Sequence, residues 1–280
     1  MGIFSRRTRS GNVPTDGRRF LNLGCGSHRH PEWLNADLVP SGPDVLAVDL
    51  RQPLPFAPGS FAAVYSSHVL EHLTPGEART VLAEMFRVTR PGGIVRIVVP
   101  DLEGIARQYL ATLDEVDATG SVEAHWKHRW MIVELIDQMV RTTSGGTMGR
   151  WWSCHPVPVL DFILRRVGAE ASRAIDAGRT ARAAEGTPPI ATDDILFTRP
   201  VSDRRLLRFL SSGERHKWMY DRVSLAEAIE AAGFVEPRRM TAVTSRIEGF
   251  AAFGLDADLE GTVRKPDSLF MEAVAPGAPA

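Results

Sequence analysis

Short apolar runs alternate with turn residues between positions 20 and 100, and this pattern predicts a parallel sheet with crossover segments. Five strands are expected, at 20–23, 33–38, 44–50, 61–66 and 94–99. Between the fourth and fifth strands, apolar residues recur at helical spacing over 74–89, and Pro91 with the two glycines after it is expected to stop that helix. The predicted class is α/β with a Rossmann-like, mostly parallel sheet.

The pattern becomes helical after Asp101. The helical segments are 102–117, 121–143 and about 159–185, and the strands that return later are 235–243 and 269–274. Ser224 is placed to cap the helix before these strands, and Gly233 to end it. The last strand is expected to be antiparallel to the rest of the sheet.

These patterns predict one core interrupted by a helical insertion. The core is expected at 19–101 and 216–280, the insertion at 102–215, after the fifth strand, and a disordered basic tail at 1–18.

The charges of the chain nearly cancel, with 33 Lys and Arg against 34 Asp and Glu and a formal net charge of -1. Neither nucleic acid nor an anionic membrane is therefore an expected partner, and no apolar run reaches the roughly 18 residues that a membrane helix needs. The stretch HWKHRW mixes bases with aromatic residues as nucleic-acid surfaces do, but we expect Trp126 and Trp130 to pack inward. Cys25 and Cys154 form no C-x-x-C pair, which favours a reducing, cytoplasmic setting. A homodimer is left open.

Residues 68–72 read His-Val-Leu-Glu-His, the H-x-x-E-H pattern of one class of zinc metallopeptidases. That alternative needs both histidines on one helical face, but a strand ending near Ser66 would leave His68 on a loop. A zinc site also needs a third protein ligand, and the pattern identifies none downstream. The sequence thus predicts no metal site.

A glycine-bounded loop, Gly24-Cys25-Gly26, follows the first strand, and its glycines let the backbone approach a ligand closely. Asp37 and Asp49 stand at the ends of the next two strands, where one could accept hydrogen bonds from ribose hydroxyls and the other could face an adenine amino group. Both aspartates could instead serve only as turn or cap residues. Ligands of open α/β sheets bind at the carboxyl ends of the strands, so a nucleoside-shaped site is expected there.

Three strings carry a family resemblance, namely LNLGCGSHRHPEWLNADL, VDLRQPLPFAPGSFAAVYSSHVLEHL and LAEMFRVTRPGGIVRIVVPD. In order and spacing they resemble the successive motifs of class I S-adenosylmethionine-dependent methyltransferases of the type 11 group. The resemblance is close over 20–101 and resumes at HKWMYDRVSLAEAIEAAGF and RKPDSLFMEAVA, but the middle of the chain is outside it.

The resemblance implies S-adenosylmethionine as the cofactor. The glycine loop would hold its methionine end, Asp37 its ribose and Asp49 its adenine. The implied cofactor-binding residues are Asn22, Gly24, Cys25, Gly26, Asp37, Asp49, Leu50, Ser67 and His68. The chain departs from the family at Asn22, where many relatives carry an acid, and in the segment after Gly26, which is too short for a full helix.

The resemblance also implies methyl transfer to a small-molecule acceptor, with a hydroxyl of a glycan or natural product as the expected group. The insertion at 102–215 would form the acceptor pocket. His68 is the first candidate for a general base, and His216 and Tyr220 could enter the acceptor pocket or simply pack between insertion and core. The alternative is a non-catalytic module that binds S-adenosylmethionine.

Overall fold

The structure is a computed structural model that describes residues 15, 17–185, 195–196 and 200–277. For residues 169, 170 and 181–185 it describes the backbone only. The tail predicted at 1–18 lies almost wholly outside these residues.

Seven strands in the described part of the chain form one sheet, in the order β3-β2-β1-β4-β5-β7-β6. They are β1 Phe20–Leu23, β2 Trp33–Asp37, β3 Val45–Ala47, β4 Phe61–Ser67, β5 Thr89–Pro100, β6 Val235–Met240 and β7 Ser268–Val274. The pairs among β1 to β5 are parallel, whereas β7 runs antiparallel to both β5 and β6. The predicted Rossmann-like sheet with an antiparallel last strand is confirmed.

The register brings the carboxyl ends of three strands to one edge of the sheet. Leu23 at the end of β1 pairs with Ala36 of β2 on one side and with Ser66 of β4 on the other. A ligand at this edge therefore meets the loops that follow all three strands.

The helices are α1 Pro75–Val88, α2 Leu102–Thr119, α3 Val122–Val140, α4 Gly146–Trp152, α5 Leu160–Val167, α6 Ala169–Glu185, α7 Asp203–Leu210 and α8 Arg222–Ala231, with short 3₁₀ helices at Leu70–His72 and Phe250–Phe253. Helix α1 starts with a capping box, in which the Thr74 side chain accepts from the Glu77 backbone and Glu77 reaches back to Thr74. All of α2 to α7 lie between β5 and α8 in the chain; helical periodicity predicted α2, α3, α5 and α6 there, but not α4 in the Gly-rich stretch.

Two predicted boundaries are wrong. Asp221, not Ser224, is the N-cap of α8; Ser224 completes its capping box three residues later. The helix before Pro91 ends at Val88, close to the predicted limit, but the fifth strand starts at Thr89 rather than at Ile94, because Gly92 and Gly93 form backbone hydrogen bonds with Ala275 and continue the sheet edge.

Three apolar clusters hold these layers together. The first, which includes Leu82 and Ile229, lies between the sheet and helices α1 and α8. The second covers the opposite face of the sheet around Trp33. The third belongs to the helices after β5. Trp130 is fully buried in this cluster and Trp126 packs against the cluster, so the predicted inward packing of the two tryptophans in HWKHRW is confirmed.

None of the helices in the described part of the chain is both long and apolar enough to cross a membrane.

Candidate functional site

A cavity of about 380 Å³ lies at the carboxyl ends of β1 and β4. We call it the donor cavity. Residues that line it include Asn22, Gly24, Cys25, Gly26, Tyr65, Ser67, His68, Arg173, Asp256 and Lys265. Six of the nine predicted cofactor-binding residues therefore lie on its wall. Its volume falls in the range of small-molecule sites, roughly 300–1,000 Å³.

The glycine loop forms one wall of the donor cavity, and its shape requires glycine at position 24. Gly24 has a φ of +69°, and a Cβ there would stand 2.2 Å from Cγ2 of Val69. The backbone N–H groups of Gly24 and Cys25 both donate to the carbonyl of Ala36, which ties the loop to the end of β2. Gly26 also has a positive φ, of +52°, but the space beside it is open.

Asp37 lies against this loop rather than on the cavity wall. One oxygen accepts from the backbone N–H of Gly26 at 2.8 Å, and the other from that of Val39 at 3.1 Å. The side chain thus fixes the glycine loop next to the end of β2. Each carboxylate oxygen keeps a lone pair for a further donor.

Asp49 and Leu50 are not brought to the donor cavity. Asp49 forms a two-pronged pair with the guanidinium of Arg51, at 2.9 and 2.8 Å, and this hydrogen bonding lowers the pKa of the carboxyl. Leu50 packs against the core between the sheet and α1. Asp49, which follows β3, is therefore already paired with Arg51 and does not line the donor cavity.

Asn22 and Cys25 have structural contacts within the loop. The Asn22 amide donates to the carbonyl of His28 at 3.0 Å and to the side chain of Asn35 at 3.1 Å. Cys25 is buried, and burial, followed by the charge of Asp37, raises the pKa of its thiol to about 11. The thiol is therefore protonated at neutral pH and a poor nucleophile.

His68 follows β4 directly and has a φ of +55°, a left-handed conformation that is uncommon for residues other than glycine. Its Nε2 lies 2.9 Å from the Ser268 hydroxyl, and its Nδ1 lies 3.0 Å from Oε1 of Glu71. The imidazole is thus held between a hydroxyl and a buried carboxylate. Strained backbone of this kind costs about 1–3 kcal/mol and is concentrated at functional sites.

A second cavity of about 400 Å³ lies on the other side of His68. We call it the titratable cavity. Its lining includes His68, Glu71, His72, Gln138, Arg141, Met148, Trp152, His216, Lys265 and Asp267. It lies between helices α3 and α4 and the carboxyl edge of the sheet, and it shares His68 and Lys265 with the donor cavity.

Glu71 is the charged centre of the titratable cavity. It is 0% exposed, and neither of its oxygens accepts a hydrogen bond of normal geometry. Burial alone would raise the pKa of Glu71, but the imidazole of His68, and behind it those of His72 and His216, lower it to about 2. The carboxylate is therefore ionised at neutral pH.

The two other predicted catalytic residues differ in position. His216 lies in the titratable cavity, where burial lowers the pKa of its imidazole to about 3. Tyr220 lines neither cavity: it packs in the core with α8, and burial and then Glu71 raise its pKa to about 12. Only His216 of this pair is placed to meet a bound molecule.

Several residues at the two cavities were not found from the sequence. The far wall of the donor cavity contains Tyr65, whose hydroxyl donates to Asp256 at 2.6 Å, and Arg96 donates to the other Asp256 oxygen at 2.7 Å. Asp267 lines the titratable cavity, and burial, followed by the charge of Glu134, raises its pKa to about 6. Glu71 stands in the H-x-x-E-H motif, which the sequence shows. Tyr65, Asp256 and Asp267 are far apart in the chain and belong to no local motif.

Residues 21–97 match the model of the type 11 methyltransferase domain family. This match supports the resemblance to class I S-adenosylmethionine-dependent methyltransferases that the motifs of the sequence carry. A demethylmenaquinone methyltransferase of Beutenbergia cavernae is 38% identical over 106 residues, which cover 30% of this chain and 41% of the relative. An uncharacterised methyltransferase of Synechocystis is 27% identical over 103 residues, covering 29% and 47%. The chain thus spans less than half the length of these relatives.

Solved structures give a weaker likeness. The 1,6-didemethyltoxoflavin-N1-methyltransferase of Burkholderia thailandensis, bound to S-adenosylhomocysteine, is 14% identical, with a TM-score of 0.36 over 92% of this chain and 70% of that one. An amino pentose methyltransferase of Micromonospora echinaspora is 28% identical, with a TM-score of 0.24 over 29% and 42%. At these TM-scores the likeness supports no conclusion about the activity of this chain.

Proposed function

We propose that this protein transfers the methyl group of S-adenosylmethionine to the hydroxyl oxygen of a small-molecule acceptor. One observation carries the proposal: His68 stands at the end of β4 between Glu71 and Ser268, and faces a cavity whose opposite wall is the glycine loop.

On the donor side, Gly24, Cys25 and Gly26 would hold the methionine end of the cofactor, because a loop without bulky side chains permits close approach. Asp37 would accept hydrogen bonds from the ribose hydroxyls with the lone pairs that Gly26 and Val39 leave free.

At the adenine, Asp49 and Leu50 are the proposed neighbours. The pairing of Asp49 with Arg51 leaves room for one further donor, since each carboxylate oxygen has two lone-pair sites. Ser67 and His68 would then lie beside the methyl group.

Methyl transfer from a sulfonium requires alignment more than covalent help, and positioning alone can supply on the order of 7 kcal/mol or more. A hydroxyl acceptor also gains from a base that removes its proton, typically by about a hundredfold or more. His68 fits this role because Glu71 orients the ring through Nδ1 and leaves Nε2, now beside Ser268, for the acceptor.

The helices at 102–215 would form the acceptor pocket. The titratable cavity supports this view, since Gln138 of α3 and Met148 and Trp152 of α4 line it opposite His68. Both described cysteines are free thiols, and we infer a cytoplasmic setting for the reaction. A homodimer stays a prediction.

The cofactor half of the proposal is tested by calorimetric titration of the protein with S-adenosylmethionine and S-adenosylhomocysteine. We expect one site per chain and at least about a tenfold loss of affinity in Asp37→Ala, the effect of about 1.4 kcal/mol from lost hydrogen bonds to a charged acceptor. Asp44→Ala is the matched control, because Asp44 pairs with Arg29 at the surface. Wild-type protein that binds neither compound would refute the proposal.

The catalytic half is tested with labelled S-adenosylmethionine and pools of hydroxyl, amine and carbon acceptors. We expect label in a hydroxyl acceptor, and in His68→Gln a fall in kcat of about a hundredfold. Cofactor binding without transfer to any pool would favour the non-catalytic module instead.

A further inference from the structure

We propose that Glu71, His72 and His216 form a binding site for a divalent transition-metal ion in the titratable cavity, on the side of His68 away from the donor cavity. The site goes beyond the proposed methyl transfer and does not depend on it.

The three side chains converge from two distant parts of the chain. One ligand atom of each lies within 4.8 Å of the other two, and the rings of His72 and His216 meet edge to face with centroids 4.8 Å apart. Zinc binds imidazole nitrogen at about 2.0–2.1 Å, so two ligands of a tetrahedral site stand about 3.4 Å apart. The side chains would need to draw in by about 1 Å, which rotation of their χ angles can provide.

Glu71 is a carboxylate with an unmet requirement. It is fully buried, and both of its oxygens lack a hydrogen-bond donor of normal geometry. An isolated buried carboxylate costs several kcal/mol unless it is paired or coordinates a metal. His68, with Nδ1 at 3.0 Å from Oε1, supports one oxygen and leaves Oε2 for an ion.

His72 is oriented as a metal-binding histidine would be. Its ring donates a hydrogen bond to the backbone of Arg215, whereas its Nδ1 is buried and has no hydrogen-bond partner. The bond to the backbone must therefore come from Nε2, which leaves the Nδ1 lone pair available. Histidine ligands in proteins almost always have such an outer partner on the second nitrogen.

The backbone holds His216 beside this pair. Its own N–H donates to the carbonyl of Gln138, and the N–H groups of Lys217 and Trp218 both donate to the carbonyl of Glu71. The segment that carries His216 is thus fixed to the turn that carries Glu71 and His72. This contact supplies the third ligand that the H-x-x-E-H pattern lacks.

The donor set indicates the class of ion. Two imidazole nitrogens and one carboxylate suit zinc, cobalt, iron or nickel better than magnesium or calcium, which prefer oxygen. Neutral imidazole is the commonest protein ligand of such ions. Arg141 and Lys265 also face the cavity, and Glu214 and Asp267 offset their charge. A fourth coordination position would face the cavity, open to water or an oxygen ligand.

The test uses the full chain, stripped of metal with a chelator and titrated with Zn²⁺ by calorimetry and with Co²⁺ by visible absorption. We expect one ion per chain, a tetrahedral or five-coordinate Co²⁺ spectrum, and a rise in Tm with either ion. His216→Ala and Glu71→Gln should each weaken binding by more than about a hundredfold, beyond the effect of losing an outer-shell partner. His125→Ala is the control, since His125 is exposed on α3.

One further variant keeps the test decisive if an alanine variant fails to fold. His216→Cys should retain Co²⁺ and add a thiolate-to-cobalt charge-transfer band, which only a direct ligand at position 216 produces. Absence of stoichiometric binding to the wild type, or equal binding by His125→Ala and His216→Ala, would overturn the proposal. Because no readout needs turnover, these results are independent of the methyl-transfer assay.

Discussion

The donor cavity and the titratable cavity meet at His68 but are built on opposite plans. At the donor cavity the acids have hydrogen-bond donors: Asp256 on its wall accepts from Tyr65 and Arg96, and Asp37 behind the glycine loop accepts from two backbone amides. In the titratable cavity Glu71 is buried with only the imidazole of His68 beside it, at 3.0 Å, and Nδ1 of His72 is buried without a hydrogen-bond partner. The hydrogen bonds at the donor cavity therefore also stabilise the fold. The poorly paired buried groups of the titratable cavity lower the free energy of unfolding, and they stay available to bind a ligand.

This difference separates two kinds of variant. Changes to the wall of the donor cavity should lower the free energy of unfolding, because they break contacts that also hold the sheet. Changes to the acids of the titratable cavity should affect chemistry while they preserve or raise stability.

Arg96→Met should have the largest effect on stability. Arg96 is fully buried, its Nε donates to Asp256, and its Nη1 donates to Glu272 at 2.8 Å, so the variant leaves two buried carboxylates without their cation. We expect a loss of about 3–5 kcal/mol in the free energy of unfolding, measured by urea denaturation followed by circular dichroism.

Arg107→Met is the control for Arg96→Met. Arg107 pairs with Glu103 on the surface of α2 and its side chain is 75% exposed, so its removal should cost no more than about 1 kcal/mol. Equal losses in the two variants would show that the ionic network does not support the cavity wall.

Gly24→Ala should have the next largest effect. The added methyl group would stand 2.2 Å from Val69 Cγ2, and φ of +69° is unfavourable for alanine, so we expect a loss of roughly 2–3 kcal/mol. The double variant Gly24→Ala/Val69→Ala removes the clash and should leave only the backbone strain, about 1–2 kcal/mol. Thermal and urea unfolding measure both.

Gly26→Ala completes this comparison. Its Cβ would meet nothing within 4 Å, so only strain from its φ of +52° remains. If Gly24→Ala is no less stable than Gly26→Ala, the side chain of Val69 can move aside without a loss of stability. The close contact between position 24 and Val69 would then not require glycine.

Most of the sheet could be predicted because strand and helix patterns are local. The first strand was predicted at its observed limits, and the buried runs of β2 and β4 were found to within one residue. The start of the fifth strand was wrong because the pairing of Gly92 and Gly93 with Ala275 is a contact between distant segments. Local turn residues cannot reveal such pairing.

The site was predictable only where one motif carries it. The glycine loop and His68 stand next to strand ends and could be placed from the sequence. The contact of His216 with Glu71 and His72 could not, because it depends on how residues 216–218 pack against the turn after β4. The sequence predicted no metal site from the H-x-x-E-H stretch, and it revealed neither the part of His216 nor the geometry of the cluster.

Asp267→Asn should change stability in a way that depends on pH, and the sign of that dependence distinguishes the two cavities. The folded chain holds the pKa of Asp267 at about 6, above the ordinary value of 3.8, because of burial and then Glu134. The folded state thus binds more protons than the unfolded state between these values, and the contribution of Asp267 to stability is lost as the pH rises through that window. Asparagine does not titrate, so the stability of the variant relative to wild type should increase from pH 4 to pH 6 and then level, by up to about 3 kcal/mol.

Asp49→Asn provides a control of opposite sign. Hydrogen bonding to Arg51 lowers the pKa of Asp49 below 3.8, so its contribution is present above that pH and lost as the pH falls. The stability of this variant relative to wild type should decrease as the pH rises through about 4. Urea unfolding at pH 4, 5, 6 and 7 measures the Asp267 series, and unfolding between about pH 2.5 and pH 5 measures the Asp49 series. A flat difference for Asp267→Asn would mean that the acid is not held in a protonated form, and that the titratable cavity is as fully compensated as its neighbour.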